Sequence, residues 1–144
     1  MDEETKKQLL RKGDGILCPT AVFIRAGRIL LGLRNYTEDK WKNISVWNNP
    51  GGRSEIGETI EETLRREVYE EIGIEDFRIL NFLKEFKGAK EGDIGLLFLC
   101  EMEGDAKLME PEKFSEWKWF DLEEVPENYI SRQNLEVIKE FLRD

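Results

Sequence analysis

Residues 52–74, GRSEIGETIEETLRREVYEEIGI, constrain the fold of this chain more than any other segment. Thr59 and Glu62 form a capping-box pattern, in which each side chain satisfies an unpaired backbone N–H of the first helical turn. Gly73 supplies the left-handed conformation that ends many helices. Between these signals an apolar residue recurs every four positions, at Ile60, Leu64, Val68 and Ile72. The segment therefore predicts an amphipathic helix that follows the turn Pro50-Gly51-Gly52.

Three glutamates of this helix, Glu67, Glu70 and Glu71, are predicted to share one face. Like charges three or four residues apart destabilise a helix by about 0.2–0.5 kcal/mol per pair, so the arrangement needs an explanation. One interpretation is a solvated acidic face that Arg65 and Arg66 partly neutralise. The other is a site for a divalent cation, because Mg²⁺ and Mn²⁺ prefer hard oxygen ligands. The adjacent glycines favour the cation site, because they let the backbone approach a ligand closely.

The same segment resembles the Nudix box, the pattern G-x5-E-x7-R-E-U-x-E-E-x-G-U in which U is aliphatic. All nine fixed positions are matched without a gap. They are Gly52, Glu58, Arg66, Glu67, Val68, Glu70, Glu71, Gly73 and Ile74. The chain is thus similar to Nudix hydrolases, and to MutT-like nucleoside triphosphate pyrophosphohydrolases in particular.

The order of the predicted elements agrees with the fold that this resemblance implies. Strands before and after a central helix predict an α/β or α+β protein with a mixed sheet. The resemblance implies an α/β/α sandwich that forms a single domain over residues 1–144. Helices are predicted at 3–12, 59–73 and 134–142, with a helical turn at 122–125. Strands are predicted at 16–25, Arg28–Arg34, 77–86, Ile94–Met102 and 116–120, and polar loops at 35–46 and 104–115.

The net charge and the length of the apolar runs limit which classes of molecule this protein is expected to bind. The formal net charge of -9 argues against binding to a nucleic-acid backbone, which requires a basic surface. No apolar run approaches the roughly 20 residues that cross a bilayer, so a membrane is not expected as a partner. We expect a soluble, cytoplasmic protein that acts on a small-molecule nucleotide. The sequence does not fix the oligomeric state, and a homodimer is possible.

The chain has no histidine, which restricts its acid–base chemistry. A general base near neutral pH is then most plausibly a carboxylate whose pKa is raised by neighbouring charges. Cys18 and Cys100 lie in apolar runs, and we expect them to be buried, reduced thiols that pack as small apolar side chains. Two cysteines without a motif predict neither a disulfide framework nor a zinc site.

The resemblance implies metal-assisted hydrolysis of a nucleoside diphosphate linked to another group, with Mg²⁺ or Mn²⁺ as cofactor. Glu67, Glu70 and Glu71 match the metal-binding and base carboxylates of the family, with the base not assigned among them. Arg66 and Glu58 match a pair that orients these carboxylates. The alternative for that pair is a surface salt bridge on the helix.

Two further metal ligands are implied by the resemblance. The carbonyl group of Gly51, which precedes the box, is one candidate. A carboxylate from a later loop is the other, and of Glu110, Glu112 and Glu116 we select Glu112. The alternative is that all three loop glutamates are solvated.

Four residues match positions at which such enzymes contact substrate: Arg34, Asn48, Gly52 and Asn134. Arg34 can equally be a solubilising strand end, and Asn134 an ordinary helix N-cap. Asn49 stands where the family often has an aliphatic residue. Trp47, Trp117 and Trp119 can stack on a base or belong to the core.

Three functions compete. The intact box favours a metal-dependent hydrolase of (d)NTPs or modified (d)NTPs that releases a nucleoside monophosphate and pyrophosphate. A nucleotide-sensing Nudix domain without catalysis is the second possibility, and an enzyme similar to isopentenyl diphosphate isomerase is the third. No proline lies between Pro50 and Pro111 and no tyrosine between Tyr69 and Tyr129, so the markers of ADP-ribose and dinucleoside polyphosphate hydrolases are missing.

Overall fold

The computed structural model describes residues 1–35, 45–88 and 90–143. Within these residues the chain forms three α-helices and six β-strands. In chain order they are α1 (Glu3–Leu10), β1 (Leu17–Arg25), β2 (Arg28–Arg34), β3 (Trp47–Asn48), α2 (Ile60–Ile72), β4 (Phe77–Lys87), β5 (Ile94–Met102), β6 (Phe114–Asp121) and α3 (Leu135–Arg143). A single 3-10 turn, Arg132–Asn134, precedes α3.

The strands form a mixed sheet in the order β3-β2-β1-β5-β4, with β6 paired to β2. Strands β1 and β5 are parallel at the centre, and β4 runs antiparallel to β5. The predicted hairpin joins β1 to β2 through Ala26 and Gly27, whose positive φ angles of 51° and 76° suit the twist of a two-residue turn. The expected mixed sheet is therefore confirmed.

Two apolar clusters cover the two faces of this sheet. On one face Ala21 and Phe23 of β1 pack against the apolar stripe of α2, which consists of Ile60, Leu64, Val68 and Ile72. On the other face Leu135 and Ile138 of α3 pack against Val22. Because successive strand residues point to opposite faces, β1 contributes to both clusters. The helices thus enclose the sheet from both sides, and the α/β/α sandwich is confirmed.

Helix α2 begins and ends at the predicted residues. The Oγ1 atom of Thr59 accepts a hydrogen bond of 3.1 Å from the N–H of Glu62. The Glu62 carboxylate in turn accepts one of 2.8 Å from the N–H of Thr59, which completes the capping box. Gly73 ends the helix in the left-handed conformation, with φ of 74°.

Several other boundaries differ from the prediction. Helix α1 ends at Leu10, because the backbone of Arg11 turns away to accept a hydrogen bond from Ile60. Strand β6 begins at Phe114, within the predicted loop, because Phe114 is buried and pairs with Arg34 across a bulge. Helix α3 begins at Leu135, one residue later than expected.

Short and irregular segments account for the remaining differences. Residues 122–125 form a turn closed by a bond from the N–H of Glu124 to the carbonyl of Asp121, and not a helical turn. The two-residue strand β3 was not predicted, since it is too short to show a period. Most of the expected loop 35–46 lies outside the described residues. No described helix has the length and apolarity to cross a membrane.

The stripe of α2 provides a test of this packing. Leu64 is fully buried, whereas Leu10 at the end of α1 is 69% exposed. We expect Leu64→Ala to lower the free energy of unfolding by about 2–5 kcal/mol, because it leaves a cavity in the core. Leu10→Ala should change it by less than about 0.5 kcal/mol. Urea denaturation followed by circular dichroism measures both, and equal losses would contradict the packing described.

Candidate active site

The glycine turn that precedes α2 is fixed to strand β1. The carbonyl of Pro50 accepts a hydrogen bond of 2.8 Å from the N–H of Ala21. The N–H of Gly52 donates one of 3.2 Å to the carbonyl of Pro19. These bonds place the turn at the mouth of the space between the sheet and the acidic face of α2.

Both glycines of the turn leave room that a side chain would fill. A Cβ atom on Gly52 would lie 2.4 Å from the carboxyl carbon of Glu67. A Cβ atom on Gly51, whose φ is 150°, would lie 2.4 Å from the carbonyl oxygen of Pro19. Glycine is therefore required here so that the Glu67 carboxylate can lie directly against the backbone.

Glu71 is the most buried carboxylate of α2, with 6% of its surface exposed. Its Oε1 atom accepts a hydrogen bond of 2.9 Å from the N–H of Gly51. Burial raises the pKa of Glu71 well above its ordinary value, and the charges of Glu67 and Glu110 raise it further. The Gly51 N–H and the charge of Arg34 oppose this rise in the pKa. The carboxylate thus lies in a region where a cation would be strongly favoured.

Arg66 connects the other carboxylates of the box. Its guanidinium group forms two hydrogen bonds with Glu58, of 2.9 Å from Nε and 2.8 Å from Nη2. Its Nη1 atom donates to Glu67 at 2.9 Å and to Glu70 at 3.2 Å. The predicted contact between Arg66 and Glu58 is present, and its role in orienting the metal ligands stays a prediction. Thr63, which the sequence analysis missed, donates a hydroxyl hydrogen bond of 2.6 Å to Glu58.

These contacts separate the carboxylates by their pKa values. The hydrogen bonds from Arg66 lower the pKa of Glu58 to about 2. Burial raises the pKa of Glu67, although Arg66 opposes the rise. Glu58 is therefore ionised at neutral pH and pairs with Arg66, whereas burial disfavours the charged forms of Glu67 and Glu71.

The described residues do not form a ready-made metal cage. In residues 1–35, 45–88 and 90–143, no three carboxylate or thiol side chains converge as metal ligands. Glu67 and Glu70 are directed towards Arg66 instead. Glu112 is exposed, whereas the charge of Glu110 acts on Glu71. The predicted metal roles of Gly51, Glu67, Glu70, Glu71 and Glu112 stay predictions.

A cavity of about 630 Å³ opens beside the glycine turn. It is lined by Cys18 and Thr20 of β1 and by Phe86 of β4, among others. The Phe86 ring lies on Gly95, where a Cβ atom would be 2.3 Å from the ring. The cavity therefore has an apolar aromatic surface next to the acidic face of α2.

Three of the four predicted substrate contacts line this cavity: Arg34, Asn48 and Gly52. Asn134 is fully buried in the 3-10 turn, whereas Ser131 of the same region lines the cavity. In the described part of the chain, neither polar atom of the Asn134 side chain has a hydrogen-bond partner, so this side chain does not cap α3. Its contact with substrate stays a prediction.

The three tryptophans have partners within the protein. Trp47 packs edge-on against Phe120 with ring centroids 4.7 Å apart, and Trp117 contacts Phe114 at 4.6 Å. Trp119 lies under the guanidinium group of Arg25 at 4.7 Å. Among the described residues that line the cavity, the aromatic side chain is instead Phe86, whose position in a strand gave no signal of this role.

Two polar pairs at the cavity were also missed. Arg53 forms a two-fold salt bridge with the buried carboxylate of Asp93, both contacts being 2.6 Å. Tyr129 donates a hydrogen bond of 2.6 Å to Oδ1 of Asn49. The only sequence signal for either pair was the presence of Asn49 where an aliphatic residue is usual.

The pair of Arg66 and Glu58 predicts how stability depends on pH. The pKa of Glu58 is about 2 in the folded protein and near 4.5 ordinarily, so the pair contributes stability above pH 4.5 and loses it as pH falls towards 2. The difference corresponds to about 3 kcal/mol at neutral pH. We expect Glu58→Gln to abolish most of this acid dependence in urea titrations from pH 6 to pH 2. The exposed neighbour variant Glu55→Gln should retain it, and equal acid profiles for the two variants would contradict the role of the pair.

Comparison with known proteins agrees with this geometry. A family model described as the NUDIX domain matches residues 19–141. An oxidized purine nucleoside triphosphate hydrolase from Danio rerio is 33% identical, over 76% of this chain and 69% of that protein. An RNA pyrophosphohydrolase from Bartonella bacilliformis is 28% identical over 91% of each chain. The crystal structure of a MutT NUDIX hydrolase from Burkholderia pseudomallei aligns with 85% of this chain and 96% of its own, with a TM-score of 0.68 and 25% identity. The chain therefore belongs to the NUDIX family and is a Nudix hydrolase.

Proposed function

We propose that this protein hydrolyses a (d)NTP or modified (d)NTP to a nucleoside monophosphate and pyrophosphate, with Mg²⁺ or Mn²⁺ as cofactor. The observation that carries the proposal is the buried Glu71 carboxylate, which accepts a hydrogen bond from the N–H of Gly51, a residue that lines the cavity of about 630 Å³. The relative from Danio rerio, named for hydrolysis of oxidized purine nucleoside triphosphates, supports this class of substrate.

The carboxylates have the chemistry of a divalent-cation site. Glu67 and Glu71 are anions whose burial raises their pKa values, so a cation between them would relieve an unfavourable charge. Glu70 and the carbonyl group of Gly51 would complete a set of hard oxygen ligands. When bound, the metal would polarise phosphate oxygens and acidify a water molecule. Arg66 would release Glu67 and Glu70 for this purpose while its two bonds to Glu58 hold it in place.

The chain's own groups would perform the remaining steps. A box carboxylate with a raised pKa would accept the proton of the attacking water, a role for which the chain offers no histidine. Arg34 lines the cavity and its charge acts on Glu71, so it is placed to bind the phosphate groups. Phe86 and Asn48 would contact the nucleobase, one by stacking and one by hydrogen bonding.

For the loop ligand we propose Glu110 in preference to Glu112. The charge of Glu110 raises the pKa of Glu71, while Glu112 is exposed. The backbone N–H groups of Lys113 and Phe114 donate to the carbonyl of Glu110, which fixes this residue at the start of β6. This proposal replaces Glu112, the residue selected from the sequence, by a glutamate only two positions away.

A pair of variants tests this assignment. Glu110→Gln should raise the Mg²⁺ concentration for half-maximal activity by about 10-fold to 100-fold, because it removes a negative charge that acts on Glu71. Glu112→Gln should leave that concentration unchanged. Magnesium titrations of the steady-state rate measure both, and the opposite ranking would restore Glu112 as the ligand.

The end of a 5′-triphosphorylated RNA is a second candidate substrate, since the relative from Bartonella bacilliformis is named an RNA pyrophosphohydrolase. It presents the same triphosphate group. The net charge of -9 favours the free nucleotide, because an RNA chain would be repelled along its backbone. Nucleotide sensing without catalysis and an isomerase activity are less favoured, since all three glutamates of the acidic face are retained.

Turnover measurements test the proposed function. Pyrophosphate and phosphate release should be followed for canonical, oxidised and methylated (d)NTPs, nucleotide sugars and a short 5′-triphosphorylated RNA, with and without Mg²⁺. We expect metal-dependent pyrophosphate release from free nucleotides. Glu70→Gln should reduce the rate by about 10²–10⁴-fold. The exposed Glu75→Gln, which follows the end of the same helix, should not.

Other results would redirect the assignment. Nucleotide binding without any turnover above the Glu70→Gln variant would favour a sensing domain. Conversion of isopentenyl diphosphate without phosphate release would favour an isomerase. A rate on the RNA far above that on every free nucleotide would make the RNA end the substrate.

A further inference from the structure

We propose that Asn49, held by Tyr129, determines base specificity by presenting a hydrogen-bond donor that selects 6-keto purines over 6-amino purines. The inference rests on the proposed function, since it assumes that the cavity beside the glycine turn receives a nucleobase.

The first observation is an unsatisfied amide at the cavity. Asn49 lines the cavity and is only 3% exposed. Its Nδ2 group has no hydrogen-bond partner among the described residues. A buried donor without a partner lowers the stability of a folded protein by about 1–3 kcal/mol. We therefore infer that a ligand supplies the acceptor for Nδ2 of Asn49.

The second observation is the contact that orients this amide. The Tyr129 hydroxyl donates to Oδ1 of Asn49 at 2.6 Å. Burial raises the pKa of Tyr129, so its hydroxyl keeps the proton that it donates. If the Asn49 amide were turned over, Nδ2 would face the Tyr129 hydroxyl in place of Oδ1. The buried hydroxyl proton of Tyr129 would then have lost its acceptor. The contact therefore commits Nδ2 of Asn49, and not Oδ1, to the ligand.

Backbone pairing fixes the position of Tyr129. The N–H of Trp47 donates to the carbonyl of Asn128 at 3.0 Å, and the N–H of Ile130 donates to the carbonyl of Trp47 at 3.0 Å. These two bonds hold the segment 128–130 alongside β3, directly before Asn49. The hydroxyl is thus positioned by the fold and does not depend on a flexible loop.

Asn48 adds a second donor of the same kind. Its Oδ1 atom accepts a hydrogen bond of 3.0 Å from the N–H of Asn49. With its oxygen engaged inside the turn, the Asn48 amide offers its NH₂ group to a further partner. Two adjacent amides therefore both present donors to the cavity.

Two donors match the base edge that carries two acceptors. A 6-keto purine presents O6 and N7 as neighbouring acceptors, whereas adenine presents the N7 acceptor beside an N6 amino donor. If the N6 amino group of adenine faced Nδ2 of Asn49, both groups would be donors and neither would have an acceptor. Such a mismatch lowers kcat/KM by about 10-fold to 100-fold.

Inosine triphosphate and ATP are the matched probes, because their bases differ at C6 and in the proton on N1. We expect the wild-type protein to favour inosine triphosphate over ATP by about tenfold or more. Tyr129→Phe should bring the ratio of kcat/KM values towards one, because the amide can then turn over. Asn49→Asp should reverse the preference, because a carboxylate can accept from Tyr129 with one oxygen and from the adenine amino group with the other. Tyr69→Phe, an exposed tyrosine of α2, should leave the ratio unchanged.

The ratio distinguishes specificity from stability. A general loss of folding or activity lowers both rates equally, so an unchanged ratio in Tyr129→Phe and Asn49→Asp would overturn the inference. A wild-type ratio near one or in favour of ATP would also overturn it. Dissociation constants of both nucleotides for Glu70→Gln, measured by calorimetry, provide the same ratio without turnover. A preference in binding together with no hydrolysis by the wild type would therefore support the inference while refuting the proposed function.

Discussion

The guanidinium group of Arg66 is the interaction on which the rest of the site depends. Glu67 and Glu70 lie on one helix face. The Nη1 atom of Arg66 is 2.9 Å from the Glu67 carboxylate and 3.2 Å from the Glu70 carboxylate. Without that cation their mutual repulsion would oppose the helix in which they lie. Glu58 accepts two hydrogen bonds from the opposite side of the guanidinium group. The geometry suits both groups, because a guanidinium presents two parallel N–H groups to the two oxygens of a carboxylate. Arg66 thus offsets the repulsion within α2 and holds the Glu67 and Glu70 carboxylates by hydrogen bonds.

The glycine turn provides the second constraint. Its bonds to β1 place the backbone of Gly52 against Glu67, and the N–H of Gly51 against Glu71. Burial of these carboxylates raises their pKa values and is unfavourable for the folded protein alone. A cost of this kind at one end of a cavity is typical of sites that bind a cation or exchange a proton. The stability of the fold and the proposed chemistry therefore have opposite requirements at the same residues.

Local patterns determined how much could be predicted from the sequence. The bounds of α2 follow from signals within one or two helical turns, and the contact between Arg66 and Glu58 was implied by the resemblance to the Nudix box. Both are present in the structure. The contact between Tyr129 and Asn49 joins residues 80 positions apart and has no local signature. The choice between Glu110 and Glu112 depends on where β6 begins, and the burial of Phe114 moves that start into the predicted loop. Contacts between distant parts of the chain, such as the one between Tyr129 and Asn49, were therefore not predictable from local patterns.

The carboxylates of Glu67 and Glu71 are proposed to form a divalent-cation site behind the glycine turn. Electron paramagnetic resonance of Mn²⁺ tests it directly, because the signal of the free ion disappears when the ion binds. Titration of the wild-type protein should show saturable binding, which Glu67→Gln and Glu71→Gln should each weaken by tenfold or more, in line with the roughly 10–100-fold effects seen at metal sites. Equal Mn²⁺ binding by the wild type and both variants would contradict the account.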